Sequence, residues 1–122
     1  MTILIVDDEP DMRLIVRSYL ERAGLQVVGE AHDGHEALEM FRALNPPPVP
    51  AVVVLDNQMP GLTGLDVAAE ILSELPAQAV VLFSAYLDEA IVVAATRQGV
   101  AACVSKTEIG RLAEIIKGLP DR

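Results

Sequence analysis

The stretch TILIVDDEP, residues 2–10, runs from an apolar segment directly into three adjacent acids, Asp7, Asp8 and Glu9. Other apolar runs also end in polar groups: Asp56 and Asn57 after AVVVL, Ser84 after AVVLF, and Ser105 and Lys106 after VAACV. Taken alone, DDEP reads as a helix start, because acids are favoured by the dipole at a helix N-terminus. Asp56, at the end of a different run, changes that reading. Carboxylates that converge within about 4 Å repel by several kcal/mol at intermediate dielectric, so they either take up protons or need a compensating cation. Lys106 supplies one positive charge. Mg2+ would supply the rest, being a hard ion that accepts a few carboxylates while keeping waters that a phosphate can replace. Beside such an ion a carboxylate can act as a nucleophile toward phosphorus. Asp56, in the middle of the array, is the natural nucleophile, and Lys106 and Ser84 are placed to stabilise charge on the transferring oxygens.

For these groups to meet, the runs that carry them must lie side by side and point the same way. Five short apolar runs, at 2–6, 25–29, 51–55, 79–83 and 100–104, are each followed by a stretch with helical spacing. The pattern is β-α repeated five times. Runs buried on both faces and joined by helical crossovers imply a parallel sheet, doubly wound, with helices on both sides and its ligand at the carboxyl ends of the strands. In the first helical stretch Met12, Ile15, Val16, Tyr19, Leu20 and Ala23 form one apolar stripe, with Pro10 in its first turn and Gly24 at its end. Asp33, Asp88 and Thr107 are expected to cap the second, fourth and fifth helices, and Gly99 to close the fourth. On the fourth helix Ile91, Ala94, Ala95 and Gln98 should face inward and Val93 outward. NPPPVP, residues 45–50, reads as a stiff extended connection, with a proline-rich docking motif as the lesser alternative.

Composition bounds the rest. At 122 residues and 52% hydrophobic content the chain suits one domain, residues 1–122; with 3% aromatics and no tryptophan its core must be built mainly from Val, Ile, Leu and Ala. A formal net charge of -9 argues against nucleic-acid binding by this chain alone and favours cations and basic partner surfaces. No apolar run approaches the ~20 residues that span a bilayer, and the N-terminus lacks signal-peptide order, so a soluble cytoplasmic protein is expected. Cys103, the single cysteine, fits a reducing compartment and a role in strand packing.

The ordered set VDDE, LDNQMPGLTG, FSAY and SK resembles the receiver domain of two-component response regulators, over essentially the whole chain. Each piece is weak alone; the set in this order on strand ends is specific. The resemblance implies a flavodoxin-like fold with strand order 2-1-3-4-5. It implies that Asp56 accepts a phosphoryl group from a histidine kinase or phosphotransfer protein. Asp7 and Asp8 would hold Mg2+, Asp8 more directly, with Asp56 and the backbone carbonyl of Gln58 completing the protein ligands. Lys106 would pair with phosphoryl oxygens, and Ser84 would turn inward to bond the phosphorylated form. An output domain or partner would use the face of helix four, strand five and helix five, and a homodimer stays open.

Two positions depart from the family pattern. Thr107 stands where proline commonly follows the lysine, which puts lysine placement in question. Cys103 stands where many members carry a switching aromatic, and Tyr86 is a candidate substitute. Asn57, Met59, Pro60 and Gly61 read as loop-shaping residues, and His32 and His35 as solvated histidines without function. The leading reading is a signalling domain that catalyses only its own phosphorylation and dephosphorylation. The alternatives are a receiver-like binding module that never takes phosphate, and a Mg-dependent phosphohydrolase with an aspartyl intermediate, for which the chain has neither a D-x-D after its first strand nor room for a cap.

Overall fold

The computed structural model describes residues 1–44 and 49–120. Strands β1 (Thr2–Val6), β2 (Gln26–Ala31), β3 (Val52–Leu55), β4 (Ala79–Ser84) and β5 (Ala102–Ser105) alternate with helices α1 (Pro10–Arg22), α2 (Gly34–Ala43), α3 (Gly64–Glu74), α4 (Glu89–Gln98) and α5 (Ile109–Lys117). The strands are parallel, in the order β2-β1-β3-β4-β5. This is the flavodoxin-like arrangement expected from the sequence.

Alternation along the central strands divides the core in two. Leu4, Val6, Val53, Leu55, Val80 and Leu82 face α2, α3 and α4, packing with Phe41, Val67, Ile71 and Ala95. Ile3, Ile5, Val52, Val54, Val81 and Phe83 face α1 and α5, packing with Val16, Leu20, Leu112 and Ile116. Each such aliphatic side chain stabilises the fold by roughly 1.5–3 kcal/mol on burial. Every residue of β3 and β4 is buried, as expected for strands covered on both faces. The edge strands differ from that expectation: β2 alternates, with Val28 39% exposed, and β5 is only partly buried. An edge strand has a neighbour on one side only, so the helices above and below cover it less fully.

The α1 stripe is narrower than its periodicity indicates. Val16 and Leu20 are fully buried, while Ile15 and Tyr19 are 44% and 45% exposed. The helix seats the row of Met12, Val16 and Leu20, spaced i, i+4, i+8, against the sheet, leaving the neighbouring row in solvent. Asp33 and Asp88 cap α2 and α4, each accepting at 2.8 Å from the backbone N–H three residues on. Gly99, at φ +97°, closes α4, and Val93 faces outward as expected. Thr107 does not cap α5. Its own N–H donates to Ser105 Oγ at 3.3 Å, and a 3-10 turn, Lys106–Glu108, precedes the helix. The docking alternative for residues 45–50 falls mainly on 45–48, outside the described residues.

Two features fix the approach to the carboxyl edge. Val6 pairs with Leu55, so Asp7 and Asp56 leave adjacent strands together, and the ladder continues through Asp7 N–H to Ala31 O and Asp56 N–H to Val6 O. The start of α3 presses on the chain after β3: a Cβ on Gly64 would lie 2.5 Å from the Asp56 carbonyl oxygen and 2.8 Å from Asn57 Cα. Only a residue without a side chain fits. Gly64→Ala is therefore expected to destabilise the protein by roughly 1–3 kcal/mol, the scale of overpacking a tight site; an unchanged denaturation midpoint would contradict this contact. At the α2 start, the Glu36 carboxylate beside His32 Nδ1 (2.9 Å), with Asp33 adding to it, raises the imidazole above its ordinary 6.5. Because the folded value is raised, this pairing contributes stability in full below pH 6.5 and loses it as pH rises through the folded value. An NMR titration should place His32 above 6.5, and Glu36→Gln should bring it down; a wild-type midpoint at or below 6.5 would contradict the pairing.

Candidate functional site

The site is built on the ends of β1, β3, β4 and β5. β1 and β3, hydrogen-bonded neighbours, deliver Asp7, Asp8 and Asp56, whose carboxylates offer three oxygens within 4.8 Å of one another. Asp7 and Asp56 are each only 3% exposed, while Asp8 is partly open to solvent. At that separation two unit charges repel by roughly 3 kcal/mol at an effective dielectric of about 20. Something must hold them.

Lys106, from the end of β5, does part of this. Its Nζ lies 2.8 Å from Asp7 Oδ2 and 3.0 Å from Asp56 Oδ2, with the side chain 10% exposed. Burial pulls the ammonium's pKa down, but hydrogen bonds and Coulomb attraction from Asp7 and Asp56 outweigh it and leave it raised, so the lysine is a cation at neutral pH. Thr107, in place of proline, does not displace the lysine. Main-chain donors hold the other oxygens: Glu9 N–H bonds Asp7 Oδ1 at 2.9 Å, and Gln58 N–H bonds Asp56 Oδ1 at 3.1 Å. Both oxygens of Asp7 and of Asp56 thus have protein partners, and Asp8 is the most solvent-accessible of the three acids. One ammonium against three carboxylates leaves a negative excess that a hard divalent ion would neutralise with oxygen ligands it prefers. The donor set fits such an ion.

Ser84 ends β4 fully buried, its Oγ accepting from Tyr86 N–H at 3.5 Å. Asn57 braces the loop after Asp56: its Oδ1 accepts from Leu65 N–H and its carbonyl from Gly64 N–H, both at 3.1 Å. Met59 is buried and Gly61 adopts φ +79°, so these residues shape the loop as expected. Tyr86 is 66% exposed and points away from the core. Cys103 packs on the core beneath α2–α4, where burial raises its thiol pKa. His32 and His35 lie with the α2 cap, and His32 pairs with Asp33 and Glu36.

Two contributors were not anticipated from the residue pattern. Gly64 sets how closely α3 approaches Asp56. Arg13, on α1, donates from Nη1 to the Asp7 carbonyl oxygen at 2.6 Å. A cation one turn beyond the acids was the available clue to Arg13; the clue to Gly64 was its place at the end of the LDNQMPGLTG piece.

Similarity to known proteins agrees with this geometry. The family model for the response regulator receiver domain matches residues 3–117. The chemotaxis protein CheY of Thermotoga maritima is 35% identical over 97 residues, covering 80% of this chain and 78% of that protein. The probable transcriptional regulatory protein NarL of Mycobacterium tuberculosis is 40% identical over 121 residues, 98% of this chain but 53% of NarL, so the chain spans about half the length of that relative. Among solved structures, the response regulator TrrA of Thermotoga maritima, in complex with Mg2+-BeF, superposes with a TM-score of 0.85 at 32% identity, covering 98% of both chains. The matched span runs from the first strand to the last helix, and the chain belongs to the response regulator receiver domain family.

Proposed function

We propose that this chain, as a receiver domain over residues 1–122, takes a phosphoryl group on Asp56 in a Mg2+-dependent reaction and passes that state on as a signal. The observation that carries the reading is the single ammonium of Lys106 bridging Asp7 and Asp56 beside Asp8, a charge-deficient cradle at the strand ends. Receiver domains are signalling modules of two-component systems that use Mg2+ held by acidic residues. In this chain Asp8, with Asp56 and the Gln58 carbonyl, would hold the ion, and Asp7 would hold it less directly: one of its oxygens is on Lys106 and the other on Glu9 N–H, so it would also orient the lysine. When bound, the ion supplies positive charge that offsets the nucleophile's own and the phosphoryl oxygens'.

The chain's own groups supply the rest. An Asp56 carboxylate oxygen attacks phosphorus of a phosphohistidine or a small phosphodonor; the P–N or P–O bond to the donor breaks, the electron pair leaves with the donor, and an acyl phosphate remains. Lys106, already 3.0 Å from Asp56 Oδ2, pairs with the added phosphoryl oxygens. The Ser84 hydroxyl, at the adjacent strand end, donates to another. These new contacts bias an existing two-state equilibrium, the change reaching partners through the face of α4, β5 and α5. Catalysis here is confined to the domain's own phosphorylation and dephosphorylation.

The partners on this reading are a histidine kinase or phosphotransfer protein upstream and an output domain or separate target downstream, with a homodimer open alongside them. On this reading the domain works in the cytoplasm, where it would meet the kinase. Among the described residues no helix is long and apolar enough to cross a membrane.

Incubated with acetyl phosphate and Mg2+, the wild type should gain one phosphoryl group by intact mass, Asp56→Ala none, and Lys106→Ala should react roughly 10²-fold more slowly, the scale of losing one oxyanion contact. No adduct on the wild type, or an adduct that persists in Asp56→Ala, would overturn the proposal and favour a module that signals without phosphate.

A further inference from the structure

Arg13 is the fourth residue of α1, its backbone N–H bonded to Glu9 O, so it belongs to the turn that springs from the acid cluster. A cation near a helix N-terminus opposes the helix dipole, and helix stability gives no reason for one here. Its side chain turns back toward the N-terminus, as helical side chains do, and Nη1 meets the Asp7 carbonyl oxygen at 2.6 Å. The guanidinium is further fixed by Glu30 of β2, whose Oε1 lies 3.4 Å from Arg13 Nε while its Oε2 takes Arg17 Nη1 at 2.6 Å. The Arg13 side chain is 17% exposed, against 38% for Arg17.

The accepting carbonyl belongs to the peptide that joins Asp7 to Asp8. On the other side, Asp7 N–H bonds Ala31 O, and Asp7 Oδ1 takes Glu9 N–H. Fixing that carbonyl fixes the plane of the Asp7–Asp8 peptide, and with it the direction in which Asp8 leaves the strand. Asp8 is partly solvent-open and figures in none of the side-chain hydrogen bonds that hold Asp7 and Asp56, so its place in the cluster depends on its backbone more than theirs does.

We propose that Arg13 is a positioning residue for the metal-holding acids: by clamping the Asp7 carbonyl from α1, it aims Asp8 at the cation. This rests on the reading that the acid cluster takes Mg2+. Charge alone predicts the opposite outcome, since removing a nearby cation should strengthen binding of a second cation, and the sign of the effect therefore separates positioning from electrostatics.

The test is calorimetric titration with Mg2+ of the wild type, Arg13→Ala, Arg13→Lys and Arg17→Ala, with thermal melting on each. Arg13→Ala should weaken Mg2+ binding by ~10-fold or more, the usual cost of losing a group that orients a metal ligand. Arg13→Lys keeps the charge but not the planar fork that serves Asp7 and Glu30 together, and should be weakened by less than Arg13→Ala. Arg17→Ala, which disturbs the same ion-pair network without touching Asp7, should bind within about 2-fold of the wild type. The Asp8 amide 15N resonance should move upfield in Arg13→Ala as its preceding carbonyl loses a donor. If Arg13→Ala does not fold, Arg13→Met, which keeps the packed aliphatic stem but has neither the charge nor a donor for the Asp7 carbonyl, should weaken Mg2+ binding in its place. Equal or tighter binding by the folded Arg13→Ala or Arg13→Met variant overturns the inference while the functional reading stands. Failure of the wild type to bind overturns both.

Discussion

Three carboxylates forced together at the ends of two adjacent strands, with one ammonium to answer them, are the constraint around which this molecule is arranged. Asp7 and Asp56 are buried, Asp8 lies within 4.8 Å of both, and Lys106 bridges the buried pair. Such a cluster is unfavourable in isolation. It persists because the aliphatic core on both sides of the sheet stabilises the fold independently of the site, and because main-chain donors at Glu9 and Gln58 satisfy oxygens that burial would otherwise leave bare. The remaining negative excess is what makes the site receptive to a hard cation.

The parallel sheet is the device that enforces the convergence. Its order puts β1 beside β3, and the register between Val6 and Leu55 makes the following residues neighbours whatever their charge. Loop contacts then set the fine geometry. Asn57 ties the chain after Asp56 to the start of α3, where Gly64 allows a backbone approach that a side chain would prevent. Lys106 arrives from the far edge strand, and the hydrogen bond from Thr107 N–H to Ser105 Oγ shapes the turn that carries it, a bond that proline at that position could not make.

The architecture and the cluster were readable because both depend on signals that survive in one dimension. Apolar runs alternating with helical spacing led to the doubly wound sheet, and polar residues at the ends of those runs led to Asp7, Asp8, Asp56, Ser84 and Lys106. What escaped depends on three-dimensional paths. Arg13 reaches a carbonyl oxygen, a target every residue possesses, so no residue type announces it. Gly64 matters through the closeness of another backbone. Ile15 and Tyr19 share the periodicity of α1's buried row yet sit in solvent, because one spacing is compatible with more than one width of contact. Thr107 has the composition of a cap, but it lies inside the 3-10 turn that Ser105 caps, and Glu108 is the residue that precedes α5.

The central claim is that uncompensated negative charge is built into the folded state and relieved by a divalent cation. Comparing the stability of the wild type with Asp8→Asn, each with and without Mg2+, tests it most directly. The account predicts that, without metal, Asp8→Asn is more stable than the wild type, by on the order of 1–3 kcal/mol, and that Mg2+ stabilises the wild type but not the variant. A variant less stable than the metal-free wild type, or a wild type indifferent to Mg2+, would contradict it.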